Sequence, residues 1–200
     1  MYVKGADEPN PYGTTVAPNV NAHYHQHLFS LRIDPMIDGL KNTVIESDVV
    51  PLENAPTGSA ENFAGNAFVT QEKVLKLTSD GARDFDFERD RRWKIVNTGA
   101  KPHYSSGASP GFAIAMKGAV TRLLARDDSW VAKRATFAKK PLWVIKDKEG
   151  PDGGRVWPSG KYVPQTRSEP EESVGKWVED SGSIENEDIV VFLTLGQQYD

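Results

Sequence analysis

Asp188-Ile-Val-Val-Phe-Leu-Thr-Leu195 contains neither Gly nor Pro and carries one charge, at its first residue. An uninterrupted apolar run rich in β-branched and aromatic residues reads as a strand buried on both faces. Four other runs also read as strands: Leu28 to Ile33, Asn42 to Val50 (with Val44, Ile45, Val49 and Val50), Trp93 to Val96, and Leu142 to Ile145. The 17 Gly and 13 Pro are spread along the chain and favour short strands joined by turns. Helix is expected only over Ala113 to Ala125, where Met116, Val120, Leu123 and Leu124 fall at roughly helical spacing despite Pro110, Gly111 and Gly118. Glu149 to Gln165 reads as loop, and Arg167 to Glu172 as exposed and polar. No linker divides the chain. The expectation is a mainly β, single-domain protein.

Composition narrows the function classes. Five Trp, six Tyr and eight Phe call for an aromatic core. No apolar run approaches the ~18 residues of a membrane span, so no membrane role is expected. Met1 to Pro9 has no apolar stretch of the kind a secretory signal needs. The net charge is −4, with basic residues scattered among acidic ones, so no nucleic-acid partner is expected. The absence of Cys excludes disulfides, thiolate metal sites and Cys nucleophiles.

Chemistry concentrates in His23-Tyr24-His25-Gln26-His27, which holds three of the four histidines. In a continuous strand alternate side chains share a face, so the three imidazoles would point the same way with neighbours ~6–7 Å apart. Two imidazoles at i and i+2 can chelate one ion, and nitrogen donors suit copper or zinc. A third ligand must come from elsewhere, and His103 is the one imidazole left. Asp34 lies an odd number of residues beyond His27 and so faces the other way. It reads either as a surface ion pair or as an oxygen ligand for a hard cation such as calcium. Asp38-Gly39 reads as a turn. Other chemistries lack their contexts. Ser105-Ser106-Gly107 and Ser181-Gly182-Ser183 sit in no nucleophile elbow, Gly153-Gly154 in no phosphate loop, and Glu171 and Glu172 read as solvated.

Tyr12-Gly-Thr-Thr-Val-Ala-Pro-Asn-Val-Asn-Ala-His-Tyr-His-Gln-His-Leu-Phe-Ser-Leu-Arg-Ile-Asp34, followed by Ile37-Asp-Gly39 and Asn42-Thr-Val44, resembles the catalytic domain of copper amine oxidases, the fungal branch most nearly. Glu61-Asn62, Gly65-Asn-Ala-Phe68, Trp93 to Asn97, Trp130 to Ala138, Leu142-Trp-Val144, Pro158 to Gln165, Asn186 to Val190 and Thr194-Leu-Gly196 follow in the family's order. The resemblance implies part of a large catalytic-domain β-sandwich that forms homodimers. It implies oxidation of primary amines to aldehyde, ammonia and hydrogen peroxide, with copper and a tyrosine-derived topaquinone. His25 and His27 would be copper ligands, with His23 a non-ligating neighbour. Asp34 and Asp188, with the carbonyls of Pro35 and Ile189, resemble a peripheral calcium-type site.

The sequence also departs from the family. The family's third copper histidine follows Thr-x-Gly after a two-residue gap, and here that place is Tyr199, a residue that can ligate copper as phenolate. The family's cofactor tyrosine lies in Asn-Tyr-Asp/Glu upstream of His-Gln-His, and none of the six tyrosines here has those neighbours. The expectation is therefore a partial catalytic domain over residues 1–200, lacking the cofactor-tyrosine segment and the C-terminal end. It carries no catalytic residue of its own and is inactive on amines alone. The alternative is a non-enzymatic copper-binding β-domain, or a partner of a full-length subunit. A cupin-like enzyme would need a carboxylate shortly after the His pair, and Leu28-Phe-Ser-Leu-Arg32 offers none. A partial sandwich leaves sheet edges and apolar faces uncovered, so the isolated chain should self-associate. Size exclusion checks this, and a sharp monomer that melts cooperatively would contradict it.

Overall fold

The computed structural model describes residues 2–3, 11–119, 122–149 and 154–199. Its strands, in chain order, are β1 (Tyr2–Val3), β2 (Gly13–Ala17), β3 (Val20–His23), β4 (His25–Ile33), β5 (Lys41–Pro51), β6 (Phe68–Val74), β7 (Ala82–Arg83), β8 (Arg92–Val96), β9 (Gly111–Ile114), β10 (Leu142–Lys146) and β11 (Glu187–Tyr199). Two short α-helices, α1 (Trp130–Arg134) and α2 (Val174–Trp177), and two 3-10 turns, Thr78–Asp80 and Thr136–Lys139, complete the set among the described residues. The protein is mainly β, as its sequence indicates.

β11 organises the larger sheet. One of its edges pairs antiparallel with β10, Val191 opposite Val144. The other pairs first with β5, through Glu187 and Asp188, and then with β4 from Val191 to Tyr199. β5 in turn pairs with β6 and β8, and β8 with β9. β1, β3 and β2 form a separate three-stranded sheet. Because β11 and β5 meet only at their ends, the two groups of strands fold over one another. Val44, Trp93, Ile95 and Ile114 from β5, β8 and β9 share one core with Leu142, Val144, Ile189, Val191 and Leu193 from β10 and β11.

The intervening residues of β10 and β11 face a second core. Trp143, Ile145, Val190 and Phe192 pack against Val174 and Trp177 of α2 and against Phe137. The Phe137 carbonyl accepts from Trp143 Nε1 at 2.9 Å and from Thr194 Oγ1 at 2.8 Å, tying this cover to the sheet. Both faces of β10 and β11 are thus buried, which is why their sequences read as continuous apolar runs rather than alternations. Ser129 caps α1 by accepting from the Ala132 amide at 3.2 Å. No helix is long and apolar enough to cross a membrane among the described residues.

Two expectations are corrected. Ala113 to Ala125 is not a helix where it is described: Gly111–Ile114 pairs with β8, and a turn follows, closed by the Ala119 amide on the Met116 carbonyl. Gly118 adopts φ 86°, outside the helical region. Burial of Ile114 and Met116 against Trp93 and Ile95 outweighs the helical spacing. Val120 lies outside the described residues, as do Met1, residues 4–9, Pro151 and Gly153. The histidine triplet is also not one strand. His23 ends β3, Tyr24 donates its amide to the Tyr12 carbonyl at 3.0 Å, and β4 begins at His25.

Charge is buried where β5 crosses β8. Glu46 is 4% exposed and accepts both arms of Arg83, at 2.8 and 2.6 Å, together with Trp93 Nε1 at 3.0 Å. Asp48 pairs bidentately with Arg91 at 2.8 Å twice. The Arg91 guanidinium holds the Asp48 carboxyl below its ordinary value of 3.8, and the same bonds raise Arg91. A depressed carboxyl stabilises the fold fully above its unfolded value and loses that contribution as pH falls through the folded one. Removing one member strands the others without water. Glu46→Ala should therefore lower unfolding stability by about 3 kcal/mol. An unchanged urea midpoint would contradict this. The unsubstituted protein should lose this contribution as pH falls below the ordinary carboxyl value of 3.8 and on through the lower folded-state value of Asp48.

Candidate metal centre

Alternation along β4 sorts its residues into two sets. His25, His27, Phe29, Leu31 and Ile33 share one face, and Gln26, Leu28, Ser30 and Arg32 the other. The register with β11 is unbroken, so the first set lies opposite Tyr199, Gln197, Leu195, Leu193 and Val191. The stripe is apolar and buried at Val191 and Leu193, and Ile33 and Leu195 pack against the same core. Toward the other end it becomes exposed and nitrogen-rich.

At that end three rings meet. The His25 and His27 centroids are 4.9 Å apart. Tyr199 stacks on His25 at 5.3 Å with an interplanar angle of 16°, and meets His27 edge-on at 5.2 Å. The arrangement follows from register: residue 199 is directly across from 25 and diagonal to 27, the two cross-strand separations that rings can bridge. His25 Nδ1 lies 2.8 Å from the His23 carbonyl. A carbonyl only accepts, so Nδ1 is the donor of this bond, which in a neutral ring leaves Nε2 with the lone pair that a metal ligand requires. Gln26 faces away and clamps the neighbouring segment. Its Nε2 donates to the Arg122 carbonyl at 2.8 Å, and its Oε1 accepts from the Leu124 amide at 2.9 Å. The residue between the two histidines thus fixes the strand without competing for an ion.

The donor chemistry of the pair fits copper: two imidazoles on one exposed face, one oriented by the His23 carbonyl. His103 does not complete it. That ring sits in the loop between β8 and β9, 2.9 Å from Ser105 Oγ and beside Tyr104. Among the described residues no three His, Asp or Glu side chains are grouped to hold a metal ion. The third ring at the pair is a phenol. With His23 on β3, the triplet contributes two imidazoles to this face rather than three.

The acidic residues gather where β4, β10 and β11 run together. Arg32 Nη1 donates to Asp34 Oδ2 at 2.9 Å, and its Nη2 lies 3.5 Å from Asp147. The Asp34 carboxylate is thereby in an ion pair just past the end of β4. The Asp147 amide donates to the Asp188 carbonyl at 2.8 Å. Asp188 Oδ1 is buried and has no hydrogen-bond partner. Burial raises the Asp188 carboxyl above its ordinary 3.8, and the negative charges of Asp147, Asp34, Glu149 and Glu187 raise it further. The Pro35 carbonyl accepts weakly from Asn42 Nδ2 at 3.3 Å, and the backbone of Ile189 lies in the ladder opposite Lys146. An orphaned carboxylate oxygen is the kind of donor a hard cation takes, although no three of these carboxylates are grouped closely enough to hold one by themselves. Sequence reasoning missed Asp147. Its signal was its place immediately after the apolar β10, level with Asp188 on the adjacent strand.

Asn97 secures the turn between β4 and β5. Its Nδ2 donates to the Ile37 carbonyl at 2.8 Å, and its Oδ1 accepts from Gly99 and Ala100. Asp38, with φ 50°, and Gly39, with φ 123°, make the turn that the Asp-Gly pair indicates.

Comparison with known proteins identifies the family. Residues 1–199 match the family described as copper amine oxidase, enzyme domain. The chain is 41% identical over 187 residues to copper amine oxidase 1 of Schizosaccharomyces pombe, covering 92% of this chain and 25% of that protein. It is 40% identical over 197 residues to the peroxisomal primary amine oxidase of Pichia angusta, covering 98% and 28%. Among solved structures it superposes on a copper-containing benzylamine oxidase from Hansenula polymorpha with a TM-score of 0.83 at 32% identity, covering 96% of this chain and 28% of that one. The chain spans about a quarter of the length of the curated relatives it matches.

The acidic group yields a prediction. An acid whose folded-state value is raised weakens the fold as pH climbs above its unfolded value, because the folded protein must then hold an unfavourable charge. Calcium should relieve that penalty. At neutral pH it should raise the melting temperature, with a gain of about 2.7 kcal/mol at a hundredfold excess over Kd. The gain should fade in acid. Asp188→Asn should raise the stability of the metal-free protein and abolish the response to calcium. A melting temperature indifferent to calcium would contradict the assignment.

Proposed function

The chain belongs to the copper amine oxidase family, and on that premise we propose that it is part of the catalytic domain of a primary-amine oxidase, a copper-containing oxidoreductase. The reaction takes a primary amine, oxygen and water to an aldehyde, ammonia and hydrogen peroxide. The observation that carries the reading is the His25–His27 pair: two adjacent imidazoles on β4, one oriented by the His23 carbonyl, in a chain matching the family from end to end.

His25 and His27 hold the copper in this proposal, while Gln26 fixes the strand from behind. Copper and topaquinone together supply the redox chemistry of the family. The six tyrosines of this chain do not fit the topaquinone precursor, since none lies in Asn-Tyr-Asp/Glu. No step through that quinone is assigned to these residues. Asp34 and Asp188, with the Pro35 and Ile189 carbonyls, form the peripheral cation site in this reading, with Asp147 beside them. The partner is a second copy, as a homodimer. Phe29 at 63% exposed and Leu31 at 50% support contact with further protein on the face that carries the histidines.

A second reading, a non-enzymatic copper-binding β-domain or partner of a full-length subunit, draws on the same pair without the quinone. One experiment separates the two. Copper-loaded protein is supplied with benzylamine or methylamine while peroxide and bound metal are both measured. Bound copper with no peroxide is the expected outcome for these 200 residues alone, and copper should be lost in His25→Ala/His27→Ala. Peroxide release would contradict the assigned lack of a quinone. No retained copper in the parent would remove both readings.

A further inference from the structure

We propose that Tyr199 completes the His25–His27 pair as a phenolate donor, giving a two-imidazole, one-phenolate centre that favours the cupric over the cuprous ion. The inference rests on the reading of the pair as a copper site and adds to it the third donor and the oxidation state preferred.

Position is the first argument. Tyr199 belongs to a regular strand, held by a continuous ladder that runs from Val191 opposite Ile33 to Tyr199 opposite His25. Side chains of facing residues lie on the same side of a sheet. The phenol therefore emerges on the face of the two imidazoles and not behind it. The three ring centroids form a nearly equilateral triangle with sides of 4.9, 5.3 and 5.2 Å. His103, the other imidazole outside the broken triplet, is engaged with Ser105 and Tyr104.

The second argument is the state of the hydroxyl. Tyr199 is 46% exposed, and its Oη donates to Gln197 Oε1 at 3.0 Å. That is a neutral hydrogen bond at a wet surface, of a kind whose net worth is about 1 kcal/mol. A cation can displace it without leaving a buried group unpaired. Gln197 stands opposite His27 on the same face, so the released amide remains beside the ion.

The third argument is donor chemistry. Coordination forms one metal–oxygen bond, breaks the phenol O–H bond and releases one proton to solvent, and no electron is transferred. A phenolate is a hard, anionic oxygen donor, whereas imidazole is neutral and intermediate. Exchanging an imidazole for a phenolate lowers the net charge of the bound cupric ion and stabilises it more than the softer cuprous ion. The centre should thus resist reduction more than a three-imidazole site would.

The test is a cupric titration of the 200-residue protein after removal of adventitious metal, followed by absorption spectroscopy and ascorbate reduction. The expected result is a visible phenolate-to-copper charge-transfer band in the unsubstituted protein. Tyr199→Phe keeps the stacked ring but loses Oη. It should abolish the band, weaken cupric affinity by at least about tenfold and speed reduction. Tyr199→His should retain copper without the band. Copper bound through His25 and His27 with no band, and with equal affinity in Tyr199→Phe, would overturn the inference and leave the copper reading standing: Tyr199 would then serve only to pack on His25. A band accompanied by reduction as fast as in Tyr199→His would overturn the cupric preference. Failure of the unsubstituted protein to retain copper would overturn the copper reading and the inference together.

Discussion

The antiparallel ladder between β4 and β11 is the constraint on which the candidate site depends. It joins residues 25–33 to residues 199–191 without a bulge. A shift of one residue would carry His25 and His27 to the opposite face and separate them from Tyr199. The register is pinned from its buried end. Val191 and Leu193 lie in the core shared with β5 and β8, and Ile33 and Leu195 pack against it. The apolar half of the ladder thus fixes the geometry of the polar half, where no packing would otherwise hold three exposed rings together.

The same strand carries the second cluster. β11 enters the sheet at Glu187 and Asp188, beside β5, and leaves it at Tyr199, beside His25. One element therefore presents a carboxylate near one end and a phenol near the other. Between them, residues buried on both faces hold the strand straight. The alternation that puts Ile189, Val191 and Leu193 into one core and Val190 and Phe192 into the other keeps the two ends from moving independently.

Much of this was legible in the sequence, for identifiable reasons. The five runs read as strands became β4, β5, β8, β10 and β11; β5, β8, β10 and β11 carry the buried core, whereas β4 is partly exposed along its length. Asp34 lies just past the end of β4 and pairs with Arg32. Three features escaped. The Ala113 to Ala125 segment has helical spacing, but its first residues pair with β8, and pairing is a tertiary choice that periodicity does not encode. The histidine triplet reads as continuous, yet the chain breaks at Tyr24 to satisfy the Tyr12 carbonyl, a partner that no local pattern identifies. Asp147 joins Asp188 only through the register of β10 with β11, which is invisible until the strands are paired. The place of Tyr199 came from the family resemblance, which puts a metal ligand after Thr194-Leu-Gly196, and the structure brings that ring to the two imidazoles.

The central claim is that strand register, and not a local sequence motif, brings the Tyr199 phenol against the imidazoles of His25 and His27. Nuclear Overhauser contacts in the isotopically labelled, metal-free protein test it most directly. The account predicts cross-peaks from the Tyr199 ring protons to the ring protons of both histidines, as expected for centroids 5.3 and 5.2 Å apart. A Tyr199 ring with free-tyrosine shifts and no contact to either histidine would contradict it.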